Sequence, residues 1–382
     1  MKLSYVFKSY IALVGGGIFL FSSQVQALVT CSLVTARTDT ATMTPANISA
    51  GPDLPIGTVI YRSTWIENSP ANQLLCSTDQ QTADTGKVVM NMILSQAPNP
   101  LSSWAGTPFG GNVFTTNIPG VGVAIWFANN PVTLTKKVTI GAIDITVPSS
   151  ASSVQAGYSG RWDFSLIKIG DIAPGSYSFN SASSMPTVQL YYDNMQNVAS
   201  TNFPITTRTI KFGGTLSISA QTCTTPDVNV NLGSYDQSVL TKNGSTPWIN
   251  SSIKLTNCPT FRGYYPTENP TSIRGTAQST TVSTSNQFGL RLNPNSGIID
   301  STNGIMSVAP ASNAATGVGI QVAYGTASSP ELFNFSQEKL VTSPKNGSKT
   351  ITIPLVARYT KTSQTITPGR ADGKITFTIS YY

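Results

Sequence analysis

The chain has no histidine in its 382 residues. That excludes the Ser-His-Asp and Cys-His arrangements of nucleophilic catalysis and histidine-centred metal sites. Charge is sparse as well: charged residues make up 10% of the sequence, and its 16 Asp and Glu residues form no clustered motif. Paired carboxylates for glycoside hydrolysis therefore have no signature here, although their spacing in space is not legible from sequence. No Gly-rich loop leads from a strand into a helix, so no phosphate cradle is expected. The four cysteines never fall at the C-x2-4-C spacing of a zinc site. No catalytic residue, metal or cofactor is expected.

What is present is β-patterned. Few stretches carry helical spacing, whereas short alternating runs recur at 58–62, 88–93, 121–127, 138–147, 187–192, 227–232, 319–324 and 350–359. Gly, Pro and Asn punctuate them. Many short strands with turn signals predict an all-β chain of β-sandwiches. Asn243-Gly-Ser245 and Asn346-Gly-Ser348 fit a glycosylation pattern but read better as turns. The last strand is the most regular. Ile375, Phe377, Ile379 and Tyr381 alternate with Lys374, Thr376, Thr378 and Ser380. One face is apolar and the other polar, and such an edge requires a partner.

The N-terminus carries an export signature. Lys2 and Lys8 precede an apolar run at 11–21, and Val25-Gln26-Ala27 fits the small-residue cleavage rule. Residues 1–27 are expected to be a signal peptide, since the run is short of the ~20 residues of a membrane span. In an exported chain, Cys31, Cys76, Cys223 and Cys258 read as two disulfides. Three pairings are possible. The clustering favours Cys31–Cys76 and Cys223–Cys258, each worth about 3–4 kcal/mol in the chain-entropy model.

Cysteine spacing and charge both divide the chain. A first domain is expected over 28–212, a linker over 213–219 at Gly213-Gly214, and a second domain over 220–382. Residues 28–212 hold nine basic and nine acidic residues, and residues 213–382 hold twelve and seven. The basic excess is scattered, so it is read as an aid to solubility and not as a nucleic-acid footprint.

Two motifs carry a family resemblance. Cys223-Thr-Thr-Pro-Asp-Val-Asn-Val-Asn-Leu-Gly233 followed by Ser252-Ile-Lys-Leu-Thr-Asn-Cys258 resembles the opening of a pilin domain of the chaperone–usher pathway. The tail resembles that family's C-terminus, with Tyr381 as the penultimate aromatic and Gly369 fourteenth from the end. The resemblance implies an immunoglobulin-like sandwich lacking its last strand, and a groove filled by a donor strand from a periplasmic pilus chaperone and then from the adjacent subunit. Gly369, Ile375, Phe377, Ile379, Tyr381 and Tyr382 would belong to the chaperone- and subunit-binding surface, with the Tyr382 carboxylate as an anchor for chaperone side chains. An outer-membrane usher would assemble the fibre.

Only Leu28-Val-Thr30 precede Cys31 after the expected cleavage site, too few to donate a strand. A β-rich domain stands in their place, which resembles the two-domain layout of fimbrial tip adhesins, both domains being immunoglobulin-like sandwiches. The resemblance implies attachment to a host glycan or surface protein through the first domain, outside the cell. Mannose-binding adhesins of type 1 fimbriae begin with an aromatic residue where this chain has Leu28, so their pocket residues do not carry over. Candidate receptor contacts are Arg62, Trp65, Asn68, Asn72 and Asp79 in one segment, and Trp104 and Phe109 in a Pro/Gly-rich loop, because sugars take aromatic platforms beside polar groups and binding residues favour loops. Trp126 and Trp162 lie in strand-like runs and are expected in the core. Two alternatives remain open at this point: a minor structural fimbrial subunit without a host ligand, and a secreted β-sandwich hydrolase.

Overall fold

The computed structural model describes residues 28–42, 47–66, 73–149, 152–266 and 282–382. The expected signal peptide, and with it the cleavage site, lies outside them, as do Asn68 and Asn72. Among the described residues no helix is long and apolar enough to cross a membrane.

Alternation in sequence becomes sheet in the structure. Val121–Phe127 and Val138–Val147 are strands over the residues whose period-two pattern predicts them. The expected run at 350–359 is divided at Pro354, which cannot donate to a ladder, into Ile351–Ile353 and Leu355–Lys361. One helix is present among the described residues, Gln237–Asn243, which the β-oriented sequence reading does not anticipate. The Asp236 carboxylate caps its start by accepting from Ser238 N–H, and Gly244 ends it at φ 73°.

Two β-sandwich cores result. In the first, one sheet runs in the order Val138–Val147, Asp84–Gln96, Thr187–Gln196, Ile205–Gly213, Arg37–Thr42. A second runs Val59–Ile66, Arg161–Lys168, Val121–Phe127, Phe114–Thr115. Met90, Met92 and Leu190 from one and Tyr61, Phe164 and Leu166 from the other join a single buried cluster. Cys31 and Cys76 face each other on neighbouring antiparallel strands and are bonded. The second core holds Leu255, Phe288, Leu290, Ile320, Val322, Ile353 and Tyr381. Its disulfide joins Cys223 to Cys258. Both pairings are those that clustering favours.

The segment expected as a linker is different. Thr215–Ser219 is a strand between Gly175–Ser178 and Asn47–Ser49, and Leu216 and Ile218 are buried in the first core. The reason is its own alternation: Leu216 and Ile218 sit two apart and need an apolar face. The passage between the cores therefore falls after Ser219. The cores also touch. Tyr265 N–H donates to Ile60 O at 3.1 Å and Arg62 N–H to Tyr265 O at 2.9 Å. Ser49 is held by Gly263 O, Arg262 N–H and the Asn286 amide.

Candidate functional site: an open groove in the second domain

Residues 225–234, which include the expected strand at 227–232, take no ladder partner among the described residues. The pattern is strand-like, but a strand requires a neighbour to bond, and none of the described residues supplies one there. Val228 and Val230 are each 36% exposed. Across from this segment runs the terminal strand Ile375–Tyr381, whose one ladder partner among the described residues is Gln287–Pro294. Its apolar positions Ile375, Phe377 and Ile379 pack on the second core but stay only partly buried.

Between these two walls lies a groove of about 1100 Å³. Its floor is apolar: Leu292, Met306, Ile320, Val322, Leu355 and Ala357. Gly369 and Gly373 lie on its rim. A Cβ on Gly369 would fall 2.6 Å from Asn313 O and Ala315 N, so a side chain there would force the rim apart. The chemistry on offer is that of a receptor for an extended chain. Exposed backbone edges line the sides, and an apolar trough takes alternate side chains.

Tyr381 lies four residues beyond Phe377, the last terminal-strand residue on the groove's lining, and ties that strand to the start of the facing segment. Cys223 N–H donates to its hydroxyl at 3.1 Å, and its ring stacks on Phe261 and meets Phe288 edge-on. Burial pushes its hydroxyl pKa up. Tyr382 exchanges both backbone bonds with Gln287, and its hydroxyl donates to Glu338. Its backbone oxygen also accepts from the Asn286 amide at 3.1 Å.

The candidate receptor residues of the first domain divide into groups. Arg62, Trp104 and Phe109 gather around Trp126 on the outer face of a sheet. The Arg62 guanidinium lies 4.4 Å over the Trp126 ring, and the Phe109 and Trp126 ring centres are 5.2 Å apart. Trp104 packs into the same cluster and donates its indole N–H to Pro108 O. Arg62 is also paired at 3.2 Å with the buried Asp163, which accepts from Thr64. Trp65 points the opposite way. It is buried and stacked on Trp162, because strand alternation turns it into the first core with Tyr61, so it presents no face to a ligand. Trp162 is buried in the first core as expected, whereas Trp126 is buried in the separate outer cluster with Trp104 and Phe109. Asp79 is apart from all of these, beside Leu28 N and Gln80. The Gln80 amide holds its carboxyl below the usual range.

Sequence reasoning missed the groove floor and the side chains that bond the end of the terminal strand, Asp53 and Asn286. Alternation at 319–324 marks an apolar face, yet nothing local says that the face is left uncovered.

The model of the fimbrial protein family matches residues 210–382, a stretch that takes in the second domain. No curated protein matches the chain. Among solved structures, the CupB6 tip adhesin from Pseudomonas aeruginosa is similar at 14% identity and TM-score 0.32, over 93% of this chain and 94% of that one. The P pilus rod subunit PapA is similar at 17% identity and TM-score 0.30, over 42% of this chain and 100% of that one. CfaE, the adhesive subunit of CFA/I fimbria of enterotoxigenic Escherichia coli, is similar at 9% identity and TM-score 0.24, over 92% of this chain and 98% of that one. At these TM-scores the three likenesses are too distant to assign a function.

Proposed function

We propose that the chain is a two-domain fimbrial tip adhesin of the chaperone–usher pathway. The observation that carries the reading is the groove between residues 227–235 and the terminal strand, apolar in its floor and, among the described residues, without a ladder partner on the sides that face it. In a fimbrial-protein domain such a groove is a seat for a strand from another protein. A periplasmic chaperone fills it first, the usher hands the domain on, and the adjacent subunit fills it in the fibre. Main-chain bonds supply affinity. Each apolar side chain buried from the donor adds about 1.5–3 kcal/mol. The first domain then faces outward at the tip, outside the cell, and binds a host glycan or surface protein. Arg62, Trp104 and Phe109 are the contacts favoured by their clustering, and Asp79 is a second, separate candidate.

Periplasmic expression of the full chain with and without a chaperone of this pathway tests the groove. A several-fold higher yield of soluble protein in its presence is the expected result. An equal yield of soluble protein without the chaperone contradicts it. The chaperone-bound chain on a glycan array then tests the first domain. Binding to one coherent glycan family is expected, and silence on glycans and on host matrix proteins favours a structural subunit.

A further inference from the structure

The direction of each backbone group along the terminal strand can be read from its partners. Gln287 and Tyr382 exchange both bonds, at 3.0 and 2.8 Å, and Asn295 N–H donates to Lys374 O at 2.9 Å. Even positions 374–382 therefore bond inward to the Gln287–Pro294 strand. Odd positions Ile375, Phe377, Ile379 and Tyr381 direct their N–H and C=O groups to the open edge, since in an antiparallel ladder the two groups of one residue point the same way.

At Tyr381 that open edge is already taken, by the first domain. Asp53 N–H donates to Tyr381 O at 3.1 Å, and Tyr381 N–H donates to Asp53 Oδ2 at 2.8 Å. One residue supplies both bonds, with its carboxylate standing where a strand would put a carbonyl. The turn that bears it lies hard against the strand. A Cβ on Gly51 would sit 1.9 Å from Tyr381 O, a distance only glycine avoids. Behind the turn, the buried Lys168 ammonium donates to Pro52 O and fixes its height.

We propose that Asp53 is the end stop of the groove: an incoming peptide strand can bond Ile375, Phe377 and Ile379 but is turned back at Tyr381, so the first domain sets the register of the strand bound to the second. A two-residue slip toward Tyr381 would need the bonds that Asp53 holds. Slips of two keep every side chain on its face, so alternation alone does not forbid them. Asp53 does. It acts as a positioning residue for the bound strand, and the inference rests on the strand-binding reading of the groove.

The test uses the full chain and a twelve-residue peptide of alternating valine and threonine, carrying a nitroxide at one end or the other. In the native protein the peptide is expected to slow amide exchange at Ile375, Phe377 and Ile379. Tyr381 should be protected with or without it. In Asp53→Ala, Tyr381 N–H should exchange about tenfold faster without peptide, the worth of one hydrogen bond. It should regain protection with peptide as the strand displaces the one bond left, from the residue 53 backbone N–H to Tyr381 O, and the nitroxide's zone of line broadening should move one residue pair toward Tyr381. Asp53→Asn keeps an acceptor and should keep the native register. Protection of even positions 376–380 in each variant checks that the strand is intact. If Asp53→Ala leaves the register and Tyr381 protection unchanged while the peptide still protects 375–379, the stop is refuted and strand binding stands. If the peptide protects none of the odd amides in any variant, strand binding itself fails, and the stop with it.

Discussion

Tyr381→Phe isolates the tie between the two groove walls. Phenylalanine keeps the ring 5.5 Å from Phe288 and 6.4 Å from Phe261 and deletes only the hydroxyl. Cys223 is 8% exposed, so its N–H would lose its acceptor with no ready water to replace it. An unpaired buried donor costs about 1–3 kcal/mol. Tyr381→Ala removes the ring as well, and loss of a buried aromatic brings the cost to about 3–5 kcal/mol. Amide exchange of the buried Gln287–Pro294 strand reads the opening free energy of the second domain apart from the first. Alkaline pH gives a second readout. Burial raises the pKa of Tyr381 in the folded protein, while the unfolded chain ionises near pH 10. The stability contributed is full below about pH 10 and is lost as pH rises through 10 toward the folded value, at up to ~1.4 kcal/mol per pH unit. The phenylalanine variant should lack that share of the slope. A Tyr381→Phe protein within ~0.5 kcal/mol of native, with an unchanged alkaline slope, would refute the tie, since surface-like substitutions alone fall in that range.

Three further outcomes are expected. Replacing both Cys31 and Cys76 by alanine releases a loop closed over a separation of 45 residues. It should cost the first domain about 4 kcal/mol by chain entropy, measured by urea unfolding. Asp163→Ala leaves Arg62 without its carboxylate on a face where the arginine side chain is 21% exposed. A loss of about 3 kcal/mol is expected, the low end for breaking a buried pair, and a thermal shift under about 1 °C would contradict it. Gly369→Ala puts a methyl 2.6 Å from Asn313 O. It should cost about 1–3 kcal/mol as overpacking, and it should weaken capture by a chaperone column, because the moved rim belongs to the groove.

Strand positions are legible because period-two patterns are local. The terminal strand shows it best: the alternation of Ile375, Phe377, Ile379 and Tyr381 is visible in the sequence, and so is its inward face. Residues 227–232 carry the same kind of pattern, yet remain unladdered among the described residues. The pattern encodes a readiness to pair, whereas the partner depends on the rest of the chain or on another chain. Thr215–Ser219 departs from its expected linker role for a related reason. Gly213-Gly214 signals a break in the chain, but tertiary pairing with Asn47–Ser49 and Gly175–Ser178 keeps the next five residues in the first domain. Trp65 illustrates a face error. Its neighbours Arg62 and Asn68 suggest a polar loop, whereas its odd position on the Val59–Ile66 strand turns it inward with Tyr61. Asp53 is invisible to local patterns, because its role depends on a residue 328 positions away.

The proposed function requires that the open edge of the terminal strand accept a strand from another chain. Amide exchange along 375–381, measured on the full chain alone and saturated with the alternating valine–threonine peptide, tests it most directly. Even positions bond inward and should be protected in both states. Ile375, Phe377 and Ile379 should exchange readily in the free protein and slow about tenfold or more when a strand bonds them. Equal exchange at the three odd positions in the two states would contradict the account.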